Sequence, residues 1–147
     1  MSINRRKFLG AGLLAGAGSV ISTAQTSEAI GIKTKNPSGK LGIAVIGVGG
    51  RGRSHVEQIL YREDCEVVAI NDIDPQSIDA CKKLFTDKNR PLPAIYLTEE
   101  TGYHEMLQNK SIDAVLIATP WEWHTEMCVA SMKAGKYTAT EVCGAFS

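Results

Sequence analysis

From Leu41 onward the chain alternates two hydrophobic patterns. Leu41-Gly-Ile-Ala-Val-Ile46 is a nearly continuous apolar run that ends at once in glycines, as in a parallel strand buried on both faces. Arg51 to Arg62 then sets Val56, Ile59 and Leu60 on one helical face. The alternation repeats with a predicted strand from Glu66 to Asn71 and a helix from Pro75 to Lys88. That helix turns Ile78, Cys81, Leu84 and Phe85 inward, and Pro75 suits its first turn. Ala94 to Tyr96 predicts a short strand, and Thr101 to Gln108 a short helix carrying Tyr103, Met106 and Leu107. Ile112 to Thr119 is the clearest strand after the first. A helix from about Trp121 to Ala134 follows, closed by Gly135 in a left-handed cap, and a fifth strand begins at Tyr137 and runs to Val142.

Strands separated by amphipathic helices make βαβ units, whose crossovers are right-handed and whose sheet is parallel. The expected fold is therefore α/β, a Rossmann-type doubly wound parallel sheet over residues 41–147. The sequence stops at Ser147, just past the fifth strand, so the expectation is a sheet truncated after about five strands with a second α/β domain absent.

The first forty residues follow a different pattern. Asn4-Arg5-Arg6-Lys7-Phe8-Leu9 places twin arginines before an uncharged stretch, Leu9 to Ile21, rich in Gly and Ala. That layout predicts a twin-arginine export signal over residues 1–30, with small residues at Ser22-Thr23-Ala24 and Ser27-Glu28-Ala29 for a peptidase. The apolar stretch is shorter than the ~20 residues a bilayer needs, so the mature chain has no expected membrane contact. The expected location is outside the cytoplasm, periplasmic or secreted. Residues 31–40, with Pro37, Ser38 and Gly39 and no hydrophobic periodicity, read as a linker.

An apolar fraction of 44% over 147 residues is enough for one packed core. With 16 basic and 16 acidic residues and no cationic stripe, nucleic acid is not an expected partner. Cys65, Cys81, Cys128 and Cys143 form no C-x-x-C pair and sit at no metal-ligand spacing, so no metal site is expected. They read as small buried apolar residues, with one disulfide left open by their even number in an exported protein.

Gly47-Val48-Gly49-Gly50-Arg51-Gly52 fits G-x-G-x-x-G. Alone the pattern is weak, but here it follows the first strand, opens a helix, and is succeeded by Asp72 at the end of the second strand. Gly47 allows the tight turn, Gly49 the close approach of backbone to a pyrophosphate, and Gly52 the packing of helix on strand. The helix start offers free N–H groups and a positive dipole end to the diphosphate. Asp72 can accept both adenosine ribose hydroxyls and repels a 2′-phosphate, which favours NAD, whereas Arg51 or Arg53 keeps NADP as the alternative. Ligands of such sheets lie at the carboxyl ends of strands, and the fourth strand ends in Thr119-Pro120-Trp121-Glu122-Trp123-His124. Each residue has an ordinary explanation in packing, helix-start charge or solvation. As a group they mark a cofactor pocket.

The fingerprint, Asn71-Asp72-Ile73-Asp74-Pro75, Ala118-Thr119-Pro120 with His124, and Met132-Lys133-Ala134-Gly135-Lys136 leading to Glu141 together resemble the NAD-binding half of the Gfo/Idh/MocA oxidoreductases. Those enzymes carry Glu-Lys-Pro after the fifth strand. Here the stretch reads Glu141-Val142-Cys143-Gly144-Ala145, and valine has no proton to donate. Glu-Val-x-Gly-Ala with Pro-Trp-Glu-Trp-His is similar instead to glycoside hydrolase family 109. The resemblance implies an α-N-acetylgalactosaminidase that works by oxidation, elimination, addition and reduction on a tightly held NAD. It implies NAD contacts at Gly50, Arg51, Asp72, Trp121, Glu122, Trp123, His124, Glu141 and Val142, beside Gly47, Gly49 and Gly52 of the fingerprint. The catalytic acid and base are implied to lie in the second domain, the substrate to be a small glycoside or sugar, and the full-length protein to admit a homo-oligomer. A sugar or polyol dehydrogenase and a non-catalytic nucleotide-binding fragment stand as alternatives.

Overall fold

The computed structural model describes residue 34 and residues 36–142. The segment expected to be an export signal lies outside the described residues, as do Cys143, Gly144 and Ala145. Five parallel strands form one sheet: β1 (Leu41–Ile46), β2 (Cys65–Asp72), β3 (Ala94–Leu97), β4 (Ala114–Ile117) and β5 (Tyr137–Thr140). Their spatial order is β3-β2-β1-β4-β5. The winding direction reverses between β1 and β4, and the crevice above that point is where such sheets take ligands.

Side chains alternate across the sheet and so build two cores. On one face Val45, Val67 and Ile70 pack with Val56, Ile59 and Leu60 of α1 (Gly50–Leu60) and with Ile78, Cys81 and Phe85 of α2 (Pro75–Asp87). On the other, Ala44, Ile46, Val115 and Ile117 meet Tyr103, Met106 and Leu107 of α3 (Tyr103–Leu107) and Met127 of α4 (His124–Lys133). Burying each large side chain stabilises the domain by roughly 1.5–3 kcal/mol, so helix placement on both faces follows directly from the apolar pattern. β3 is the weak strand the sequence suggests, an edge whose Ile95 and Leu97 remain exposed.

Local chemistry fixes the helix ends. Asp74 caps α2 by accepting from the backbone N–H of Gln76 and of Ser77, with Pro75 at the first helical position. The Ser77 hydroxyl and then these backbone bonds hold the Asp74 carboxyl below its ordinary range. α4 stops at Gly135, left-handed with φ +71°, while Lys136 N–H reaches back to the Ser131 carbonyl.

Two expectations change. The fourth helix does not begin at Trp121: Pro120 is extended, Trp121–Trp123 form a 3₁₀ turn, and the α-helix starts at His124. The second concerns residues 31–40, of which those described are tied to the domain. Asn36 is buried and donates to Glu66 at 2.6 Å, Ser38 donates to the same carboxylate at 2.8 Å, and the Thr34 hydroxyl meets Asp113. A segment without hydrophobic periodicity is thus held by polar bonds, which periodicity does not report. Of the cysteines, Cys65 and Cys81 are buried and Cys128 half-buried, all three as free thiols. No helix among the described residues is long and apolar enough to cross a membrane.

Candidate cofactor cleft

The carboxyl ends of β1, β2 and β4 open into a cleft of about 300 Å³, lined by Gly47, Gly49, Asp72, Ser77, Thr119 and Trp123 among others. A second cavity, of about 210 Å³, lies at the opposite end of β2 between Leu60, Glu66 and Arg90, away from the strand ends.

The floor of the cleft is the turn between β1 and α1. Gly47 adopts φ +81°, the left-handed region that glycine occupies without strain, and donates to the Asn71 carbonyl at 2.9 Å. A Cβ on Gly52 would stand 1.8 Å from the Gly47 carbonyl oxygen, so only glycine lets the helix lie this close to the turn. At Gly49 and Gly50 the same construction meets nothing within 4 Å. These two face open space, as expected where a ligand, not protein, approaches the backbone. α1 begins with no side-chain cap and no acidic residue in its first turn, which leaves its N–H groups and dipole end for an anion. Bare backbone, a shaped turn and an adjacent carboxylate suit a dinucleotide diphosphate.

Asp72 closes the far side. Its Oδ2 accepts from Val48 N–H at 2.7 Å and its Oδ1 from Asp74 N–H at 2.9 Å. The carboxylate therefore braces the glycine turn as well as facing the cleft. Asn71 beneath it ties β2 to β3 through the Tyr96 carbonyl at 2.8 Å.

The strand-four exit divides the predicted residues. Trp123 lines the cleft, whereas Trp121 and Glu122 are exposed. His124 is 2% exposed, and its Nε2 lies 2.9 Å from the Thr119 carbonyl. The imidazole closes the turn from inside, on the α4 face shared with Met127 and Ser131, rather than standing in the groove. Glu141 follows β5 and meets Arg51 and His55 of α1. The bond from His55, and next that from Arg51, holds its carboxyl below the usual range. Val142 is 84% exposed. His55 was missing from the sequence-predicted set. Its one available signal was a spacing of four from Arg51, which places both on one helical face.

A model described as an oxidoreductase family with an NAD-binding Rossmann fold matches residues 41–142. A protein named glycosyl hydrolase family 109 protein from Shewanella pealeana is 36% identical over 97% of this chain and 34% of its own length. One named alpha-N-acetylgalactosaminidase from Shewanella oneidensis is also 36% identical, over 96% and 34% respectively. The chain spans about a third of the length of these curated relatives. Among solved structures, myo-inositol dehydrogenase from Lactobacillus casei, in complex with NAD(H) and myo-inositol, matches with TM-score 0.59 and 26% identity. That match covers 70% of this chain and 28% of the other. An NAD-binding protein from Listeria innocua matches with TM-score 0.56 and 30% identity, over 69% and 27%.

Proposed function

The chain belongs to the Gfo/Idh/MocA oxidoreductase family, whose NAD-binding Rossmann fold it shares over residues 41–142. From that premise we propose that it is the cofactor-holding part of a glycosidase that releases terminal α-N-acetylgalactosamine by a redox-neutral route. The observation that carries the reading is the glycine turn, bare at Gly49 and Gly50 and braced by Asp72, in a chain similar over nearly all its length to family 109 relatives.

In this reading the backbone from Gly47 to Gly52, with Arg51, holds the diphosphate, and Asp72 accepts from the adenosine ribose. The exit from Thr119 to Trp123, together with Glu141, flanks the nicotinamide, with Val142 at the rim. His124 acts from below, by fixing the Thr119 carbonyl and with it the turn that carries both tryptophans. NAD, when bound, would supply reversible hydride transfer at the sugar C3. With C3 at the ketone level the C2 proton is acidic: a base removes it as the glycosidic C1–O bond breaks and an acid protonates the departing oxygen, after which water adds its hydroxyl at C1 and C2 regains a proton. The acid and base for these steps are assigned to the part of the relatives that this chain does not span. The twin arginines at Arg5 and Arg6 support export after folding, with the cofactor already in place.

An aryl α-N-acetylgalactosaminide given to the full-length protein is expected to release its phenol without net NADH. NADH accumulating in step with a free sugar or polyol, and no glycoside cleavage, would sink this reading. It would favour the dehydrogenase alternative, which the likeness to the Lactobacillus casei inositol dehydrogenase supports. NAD binding by the 147-residue chain without turnover is the expected behaviour of the chain alone.

A further inference from the structure

Two side chains of α1 converge on one oxygen of Glu141. Arg51 Nε donates to Oε1 at 2.9 Å, and His55 Nε2 meets the same atom. Because the Glu141 carboxyl is held ionised, the carboxylate accepts and the imidazole Nε2 carries the hydrogen. A guanidinium facing a carboxylate commonly engages it as a fork, with two parallel N–H bonds to two oxygens. Here only Nε is engaged. The terminal N–H groups of Arg51 take no partner among the described residues, and its side chain is 69% exposed beside the uncapped first turn of α1.

We propose that His55 is a positioning residue that keeps Arg51 available to an anion at the glycine turn. By occupying Oε1 it stops Glu141 from closing a bidentate pair with the guanidinium, so the terminal N–H groups stay directed to the ligand. The ligand class is a dinucleotide diphosphate, and the inference therefore rests on the cofactor reading above. Without the imidazole, Glu141 is free to turn and take a second Arg51 N–H. The carboxylate then neutralises the cation that the diphosphate needs. His55 itself touches no ligand; it acts through Glu141 and Arg51.

The test is NAD titration followed by tryptophan fluorescence, since Trp123 lines the cleft. Four variants are compared with the wild type: His55→Leu, His55→Gln, Arg51→Gln, and His55→Leu combined with Arg51→Gln. His55→Leu is expected to weaken NAD binding about fivefold, the scale of one exposed charged contact. His55→Gln, whose amide N–H can reach the same oxygen, recovers most of that loss. Arg51→Gln weakens binding by a similar factor, and adding His55→Leu to it changes nothing further. Wild-type affinity in His55→Leu overturns the proposal. So does a His55→Leu penalty that persists undiminished in the Arg51→Gln background, because a general structural defect behaves that way. If His55→Leu does not melt cooperatively, His55→Ala takes its place in the same comparison. A wild-type chain that binds no NAD overturns the cofactor reading and this inference together, whereas a binding wild type with an unaffected His55→Leu overturns the inference alone.

Discussion

Neighbouring glycines of the β1–α1 turn are expected to separate stability from binding. At Gly52 an added Cβ would lie 1.8 Å from the Gly47 carbonyl oxygen and 2.8 Å from its carbon. Both are backbone atoms in a turn pinned to Asn71, so the helix has to move away and uncover part of the core around Val56. Overpacking of this kind costs typically about 1–3 kcal/mol, and a rigid backbone neighbour places Gly52→Ala at the upper end. In a domain this size about 3 kcal/mol lowers the melting temperature by roughly 10 °C. Gly49→Ala and Gly50→Ala meet no protein atom within 4 Å, and Gly49 already has a φ of −62° that alanine accepts. These two are expected to melt at or slightly above the wild-type temperature, since alanine loses less conformational freedom than glycine on folding. They nonetheless put a methyl group where the diphosphate approaches the backbone, so NAD affinity falls about tenfold or more. Thermal melting without ligand and NAD titration on the same samples read the two effects separately. Wild-type melting for Gly52→Ala, or wild-type NAD affinity for both Gly49→Ala and Gly50→Ala, refutes the reasoning.

Asp72→Ala leaves the N–H of fully buried Val48 without its acceptor and is expected to cost about 1–3 kcal/mol besides weakening NAD binding. Asp72→Asn keeps an oxygen for that N–H, so it loses NAD affinity with little change in melting; equal melting of the two variants contradicts the bracing role. Burial, and next the bond to Glu126, pushes the Tyr103 phenol up to about 12 from 10.0. Between those values the folded state holds the proton that the unfolded state has released. The contribution is therefore whole below about pH 10 and lost as pH rises toward 12, which chemical denaturation at stepped alkaline pH will detect. Cys81, buried and with its thiol pushed up to about 11, is expected to resist alkylation at neutral pH until denaturant is added; rapid labelling of folded protein counts against its placement. His124→Ala removes the bond to Thr119 and opens a cavity, and is expected to cost about 2–4 kcal/mol in denaturant titrations.

Much of the fold was legible because each strand and helix carries its own period. Val45 and Ala44 sit on opposite faces, as an apolar run buried on both sides requires. Asp74-Pro75 and Gly135 mark helix ends by local chemistry that needs no tertiary context. The glycine turn and Asp72 were legible for the same reason, being a short-range motif. What escaped was long-range. His55 lies 86 residues from Glu141, and nothing local to either announces the pair. The anchoring of Asn36 and Ser38 on Glu66 rests on polar bonds alone, which leave no mark in hydrophobic patterning. His124 was read with the strand-four exit from its position and the family resemblance, and its spacing of three and seven from Met127 and Ser131 also places it on the inner stripe of α4.

The anchoring of Thr34, Asn36 and Ser38 also sets a direction of travel. Their partners, Glu66 and Asp113, stand at the entry ends of β2 and β4, one strand length, roughly 20 Å, from the glycine turn. The polypeptide thus joins the sheet at the pole opposite its ligand mouth. Ligand entry at the glycine turn therefore asks no rearrangement of the bonds that hold Thr34, Asn36 and Ser38.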